Sequence, residues 1–261
     1  MSESEDDVLS VLKSTNSILT MQSGFPIFPF LALTSLILTV LGSPVAITAN
    51  LGTFVNLRVE GATDTIFEGL IFTRGHNVTT VSGGNHHCDG TNNDENPRPG
   101  PTCTSALDSA SYLAKFTFDG TFDPQFDDFF ITSIGDSTQN VTQFWGILLN
   151  FQFTPVGGCQ QEVQLGDQVL WAFDAFSKAH VLKLAGLATA LVGHAAQFSV
   201  TDGSTEETIE GASVVASGGA GTQISDTDGV VSFTFSTAGI HDLKASRDDS
   251  IRSNIVSILV I

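Results

Sequence analysis

The chain has 261 residues, with ten basic side chains against twenty-eight acidic ones, a formal charge of −18 and an isoelectric point near 4.3. A surface that acidic repels phosphate backbones, whose binding depends on Lys and Arg displacing counterions, so nucleic acid is excluded as a partner. Only 15% of residues are charged, hydrophobic residues reach 41% and there are 25 glycines, a balance that favours strands joined by turns over helices. The expected class is mostly β, or α+β, with enough chain for two domains that each bury a core.

Between Lys13 and Arg58 there is no charged residue, and Phe25–Leu41, FPIFPFLALTSLILTVL, is a dense apolar run ending in the small residues Gly42 and Ser43. This resembles a secretory signal peptide, with cut sites after Gly42, Ala46 or Ala49. No Lys or Arg directly precedes the run and it lies far from Met1, which a start at Met21 would explain. Residues 1–20 are then an upstream extension or a cytoplasmic tail, and residues 21–49 a signal peptide. The alternative is an uncleaved anchor that makes the protein single-pass through residues 25–41. With residues 1–49 removed, nine basic against twenty-four acidic residues leave a charge of −15, so the acidity belongs to the folded part.

Secretion makes two further features coherent. Asn77-Val78-Thr79 and Asn140-Val141-Thr142 are N-glycosylation acceptors with no proline in the middle. Cys88, Cys103 and Cys159 allow one disulfide with a thiol left over, or an intermolecular bridge.

In chain order, TFVNLRVEG alternates Val55, Leu57 and Val59 against polar neighbours, the period of a half-buried strand, and TDTIFEGLIFTRG continues as a hairpin arm. A polar stretch follows, Ser82–Cys103, SGGNHHCDGTNNDENPRPGPTC. Then TSALDSASYLA gives the one convincing helix: Ser105 and Asp108 have capping-box spacing, and Leu107, Ala110, Leu113 and Ala114 share a face. Beyond it AKFTFDGTFD, DDFFITSIG, QFWGILLNFQFTPVGG and QEVQLGDQVLWAFDAF read as strands broken by Asp-Gly, Gly-Asp and Gly-Gly turns.

The order VNLRVEGATDTIFEG, SALDSA, FFITSIG, FWGILLN and GDQVLWAFDAF resembles the transcobalamin-like C-terminal domain, a β-grasp module of secreted and surface proteins, over Thr53 to Leu184. The carriers are Glu60-Gly61, Trp145 to Asn150, and Gly166-Asp167 opening a strand that holds Trp171. The resemblance implies a β-grasp-like domain over residues 50–190 and favours a Cys88–Cys159 disulfide over the short local ring Cys88–Cys103. In transcobalamin the module caps a corrinoid held against a helical barrel, which this chain lacks, so no cofactor is expected.

From Gln197 the chain turns to short alternating strands with Gly, Asp and Ser turns. GASV, DTDGVVSFTF and AGIHDLKA resemble the Ig-like or prealbumin-like sandwiches of extracellular proteins, with Phe233, Phe235, Leu243 and Ala245 inward. The expected second domain is an antiparallel β-sandwich over residues 196–261, with the boundary in Thr189–Gln197.

The chemistry is sparse. His86, His87 and Cys88 are candidate zinc donors, but on an extended backbone adjacent side chains point to opposite faces and do not readily share an ion. The oxygen-rich run from Asp89 to Glu95 places Asp94 where an EF-hand requires glycine and Gly100 where it requires the bidentate glutamate. There is no G-x-S-x-G elbow and no H-E-x-x-H pair, and His180, His194 and His241 stand apart from any nucleophile. Asp123, Asp127 and Asp128 could supply paired carboxylates for glycoside hydrolysis, though as acids beside an alternating apolar strand they read more simply as solvent-side residues. Trp145 and Trp171 could stack on a sugar, or fill a core.

These features point to a secreted or cell-surface, non-catalytic binding or structural protein, associated with extracellular matrix or cell wall, whose partner is an extracellular protein or glycan. The alternatives are a carrier of a small molecule between its two domains, and a polysaccharide hydrolase using Asp127 and Asp128. No metal is expected, and contact with a membrane only if the segment at 21–49 remains as an anchor.

Overall fold

A computed structural model describes residues 50–261; the signal or anchor segment expected at 21–49 and the extension at 1–20 lie outside the described residues. The class is mostly β, or α+β, with one α-helix among the described residues.

In the first half the strands are β1 (Thr53–Glu60), β2 (Thr65–Thr73), β3 (His76–Thr80) and β4 (Gly84–Cys88). Helix α1 (Cys103–Ala114) follows, and then β5 (Phe118–Asp123), β6 (Asp128–Ile134), β7 (Ser137–Thr138), β8 (Trp145–Leu149), β9 (Gln152–Phe153) and β10 (Gln168–Phe173). A mixed sheet has the order β2-β1-β10-β8-β9, with β1 and β10 parallel and Leu57 beside Val169. Parallel neighbours need a long connection, here the whole stretch from β2 through α1 to β9. Helix α1 packs against β1, β2 and β3.

The alternation in β1 splits the sheet's two faces. Val55, Leu57 and Val59, with Val169 and Trp171 of β10, join Ala106, Leu107 and Ala110 of α1 in one core. The opposite residues, Arg58 and Glu60, are also buried. A strand expected to be polar on its outer side therefore has both faces covered toward its end, because the second half of the chain lies over the polar one.

Helix α1 starts one turn earlier than the Ser105–Asp108 spacing predicts. Thr102, held extended at φ −128°, is the N-cap: its hydroxyl accepts from the Ser105 N–H while the Ser105 hydroxyl accepts from the Thr102 N–H. This is a capping box with serine in the third position. Leu113 is 63% exposed and does not join the core face, because the helix ends at Lys115, in the left-handed region at φ 63°. The polar stretch Ser82–Cys103 is only partly a loop, since Gly84–Cys88 pairs antiparallel with His76–Thr80.

Cys88 and Cys159 form the disulfide that the family resemblance favours, and Cys103 is the buried free thiol. The bridge ties the end of β4 to the Gly157–Gln160 turn that leads toward β10. Asp128 holds the same turn, accepting from the Cys159 N–H at 2.9 Å and the Gln160 N–H at 3.3 Å.

In the second half come β11 (His180–Gly186), β12 (Thr189–Ala190), β13 (Ala195–Asp202), β14 (Ser213–Ala216), β15 (Gly221–Ile224), β16 (Val230–Thr234), β17 (Gly239–Ser246), β18 (Ser250–Ile251) and β19 (Val256–Val260). They form sheets ordered β16-β13-β11-β18 and β12-β19-β17-β14-β15. Both sheets contribute to one core that contains Leu182, Phe198, Phe233, Phe235, Leu243 and Ala245, which includes all four residues expected inward. The chain changes sheets at the 3-10 turn Ala175–Ser177, ahead of the Thr189–Gln197 stretch, because β11 pairs with β13. A third apolar cluster, Leu148, Phe151, Leu170, Ala172, Ala175, Val181 and Ile251, joins the halves, and residues 50–261 form one compact unit.

Closing a long loop by a disulfide stabilises a small domain by about 2–5 kcal/mol, so Cys159→Ser is expected to lower the denaturant midpoint by a matching amount in urea titrations. Cys103 is expected to resist alkylation in the native protein and to take up one alkyl group per chain on unfolding without reductant, read by intact mass.

Candidate functional site: the cleft between the two halves

Of the ten Lys and Arg in the chain, three converge with two glutamates where the halves meet. Glu60, 2% exposed, accepts from Lys244 Nζ at 2.7 Å and Arg252 Nε at 2.8 Å. Glu68, opposite Arg58 across the hairpin, accepts from Lys244 Nζ at 2.7 Å and from the Ile255 N–H at 2.6 Å. Arg252 also donates to the carbonyls of Gly61 and Thr63, and Arg58 donates to the Arg252 carbonyl. β1 and β2 thus supply both acids and one cation, while β17 and the segment after β18 supply the other two cations. Sequence reading singled out none of these as a set. The available signal was the alternation that puts Arg58 and Glu60 on one strand face, but their partners lie more than 180 residues away.

At the C-terminal end of β1 this cluster opens into a cleft of about 920 Å³, within the usual range for small-molecule sites. Glu60, Thr63 and Asp174 line it from the first half, and Lys178, Arg247 and Arg252 from beyond the sheet change. The walls are held in place by hydrogen bonds: Lys178 Nζ donates to the Asp248 carbonyl at 3.0 Å and Gln143 Nε2 to Asp174 at 3.1 Å. Arg247 grips Asp249 through Nε at 2.7 Å and Nη2 at 3.0 Å, a two-point pairing that, with the Ser250 hydroxyl, holds the Asp249 carboxyl below its ordinary range. Charges of both signs and backbone carbonyls face the space, which suits a polar ligand with several donors and acceptors.

The residues expected to carry chemistry lie elsewhere. His86 and His87 diverge: His86 stacks on Phe122 with its Nε2 at 3.0 Å from the Gly83 carbonyl, whereas His87 faces Asp127 at 3.0 Å and Asp89 at 3.6 Å. Among the described residues no group of three or more His, Cys, Asp or Glu is placed to hold a metal ion. Asp128 is not a solvent-side acid. It is 5% exposed and accepts from the Phe129, Cys159 and Gln160 N–H groups, so its carboxylate is spent on the backbone and Asp127 and Asp128 do not flank an open sugar site. Asp123 accepts from the Gln125 N–H in the turn between β5 and β6. Trp145 and Trp171 are buried and donate to the Ser137 and Cys103 carbonyls, leaving neither free to stack on a ligand. His180 bonds Asp202 at 2.7 Å, His194 is exposed beside the Val192 carbonyl, and His241 is buried between the Ser217 and Thr237 carbonyls. Asn77 and Asn140 are both exposed.

His76 and Asp128 are among the groups that make folding pH-dependent. His76 has Nδ1 at 2.7 Å from the Arg74 carbonyl and Nε2 at 2.7 Å from Asp108. Only the doubly protonated ring donates to both, and the Asp108 bond raises its pKa above 6.5. Burial pushes Asp128 up to about 6 against the pull of its three N–H donors.

Both groups bind protons more tightly when folded, so both contributions are lost as pH rises. The Asp128 part is complete below 3.8 and gone above about 6, on the order of 3 kcal/mol at 1.36 kcal/mol per unit; Asp128→Asn is expected to flatten urea stability across that window. The His76 part is present below 6.5 and falls as pH rises through the elevated value, and Asp108→Asn is expected to abolish it. At the junction, Glu60→Gln leaves Arg252 and Lys244 without their shared partner and is expected to cost about 3–5 kcal/mol in the same assay.

Residues 101–175, from the helix N-cap to the turn below the cleft, match a family model described as a domain of unknown function, DUF4430. The match lies wholly inside Thr53–Leu184, the segment that resembles the transcobalamin-like C-terminal domain, and supports a transcobalamin-like domain there. No curated protein matches the chain. Among solved structures it is similar to a crystal structure of haptocorrin in complex with Cbi, at 16% identity and a TM-score of 0.32, over 47% of this chain and 25% of that one. The chain therefore spans about a quarter of the haptocorrin length.

Proposed function

We propose that this chain is a secreted, non-catalytic binding protein that carries a small polar molecule in the cleft between a β-grasp-like first domain and an Ig-like sandwich that begins after the 175–177 turn. The observation that carries this reading is the cleft itself. Its volume of about 920 Å³ suits a small organic ligand, and its walls are charged and held by their own hydrogen bonds, so binding costs little reorganisation. The transcobalamin-like match over residues 101–175 is consistent with a binding role.

A catalytic role has less support, since Asp128 is consumed by the backbone and the histidine rings are bound to acids, carbonyls or an aromatic neighbour. Secretion is supported by the Cys88–Cys159 disulfide, which persists in oxidising compartments, and by the exposure of both glycosylation acceptors. Among the described residues no helix is long and apolar enough to cross a membrane.

Native mass spectrometry of protein purified from its own source is expected to show a bound species that leaves on denaturation. The double variant Asp174→Ala, Lys178→Ala, which alters two walls of the cleft but not the Glu60 cluster, is expected to come off the column empty. A clean apo mass for the unaltered protein overturns the carrier reading. Glycosidase treatment of the same sample is expected to remove glycans from Asn77 and Asn140; bare asparagines at both overturn passage through a glycosylating secretory pathway.

A further inference from the structure

A second cavity, of about 490 Å³, lies toward the N-terminal end of β1, lined among others by Leu57, Arg58, Phe151, Leu170, Asn254 and Ser257. Its most unusual wall is Arg58, only 6% exposed. A guanidinium carries five N–H donors, and among the described residues Arg58 spends one hydrogen bond, Nη1 to the Arg252 carbonyl at 2.8 Å. Glu60 stands 3.9 Å from its Nε, beyond hydrogen-bond reach. Leaving charged donors unpaired in a buried place is costly, and a wall position gives those donors a space to point into.

The charges around it balance. Arg58, Lys244 and Arg252 face two carboxylates, Glu60 and Glu68, so this cluster alone carries one excess positive charge, which Asp242 at the cavity balances. Other charged groups limit what fits. Asp242 lines the mouth, with its carboxylate turned to the Ser257 hydroxyl at 2.5 Å, and Glu68 lines the wall. Both disfavour a doubly charged ligand. The apolar part of the wall is Leu170 and the Phe151 ring, over which Arg58 and Lys183 sit at 5.9 and 5.8 Å from the centroid.

We propose that this cavity binds a small organic monocarboxylate with an apolar or aromatic body, the carboxylate pairing with the free donors of Arg58 and the body lying against Phe151 and Leu170. A planar carboxylate matches the guanidinium fork in a two-point pairing, which is stronger and more directional than a neutral hydrogen bond. The site is separate from the larger cleft and does not rest on the carrier reading.

The test is titration of the ¹⁵N-labelled chain with sodium benzoate and, in parallel, benzamide, which has the same shape and no charge. Benzoate is expected to shift the amides of Gly69, Phe151 and Ile255 saturably and to bind at least about tenfold tighter than benzamide, the difference one charge-assisted pairing makes. Arg58→Gln is expected to erase that preference. Because Arg58 is buried and its replacement could unfold the chain, Ser257→Trp supplies the second variant: it fills the mouth from an exposed position and is expected to abolish binding with the melting temperature unchanged. Equal affinity for the two probes, binding that survives Ser257→Trp, or the absence of a saturable benzoate shift each overturns the proposal. Shifts confined to Asp174, Lys178 and Arg247 also overturn it, while leaving the larger cleft as a ligand site.

Discussion

Glu60 is the residue on which the arrangement of the described chain depends. It is buried on the polar face of β1, where a carboxylate without partners would be costly by several kcal/mol, and its two strongest partners, Lys244 and Arg252, come from the second half. The first half alone therefore exposes two acids, Glu60 and Glu68, with only Arg58 beside them, and the second half brings the two cations, Lys244 and Arg252, that they bind. Docking satisfies both at once. Directional hydrogen bonds to a shared carboxylate also select one relative placement, in a way that the apolar cluster of Leu170, Ala172, Val181 and Ile251 alone would specify less sharply.

That choice of glue explains why the junction contains cavities at all. Apolar surfaces interdigitate to high density, whereas a fixed ion cluster holds the backbones at the distance its side chains set. On either side of the Glu60 and Arg58 positions the interface opens, into a polar cleft at one end of β1 and a smaller, more apolar cavity at the other. Both spaces are bounded by the same cluster and differ in how far its charges are already paired. Arg252 spends three hydrogen bonds, on Glu60 and two carbonyls, and Arg58 spends one.

The staple in the first half bears on the same surfaces from below. The Cys88–Cys159 bridge and Asp128 both fix the turn at Gly157–Gln160, the segment that precedes β10. β10 lays Trp171 against the helix side, with its indole donating to the Cys103 carbonyl, and lays Leu170 and Ala172 on the docking side. It then runs directly into Asp174, a wall of the cleft. A polar stretch dense in His, Cys and Asp thus has a mechanical role, and the residues most suggestive of metal or acid chemistry are occupied by backbone and neighbouring side chains.

Much of the fold was legible in the residues. Alternation in β1 named the helix-side core of Val55, Leu57 and Val59, and alternation near the C-terminus named Phe233, Phe235, Leu243 and Ala245, because side-chain direction along a strand follows from local geometry alone. Adjacent His86 and His87 diverge for the same reason. The helix was legible as an element but not in its start, since Thr102 and Ser105 cap reciprocally with a shorter side chain than the usual acid or amide. What no local pattern held was the second burial of β1: Arg58 and Glu60 look like the solvent side of a half-buried strand until residues more than 180 positions later cover them. Asp128 misleads in the same way, an acid beside Asp127 that becomes a buried backbone acceptor only when the disulfide brings the 157–160 turn to it. Composition and period decided the class, the strands and their inner faces, whereas the cleft, the charge cluster and the fate of each acid were decided by which distant segments met, because partnership between charges is a property of position in space and leaves no period in the chain.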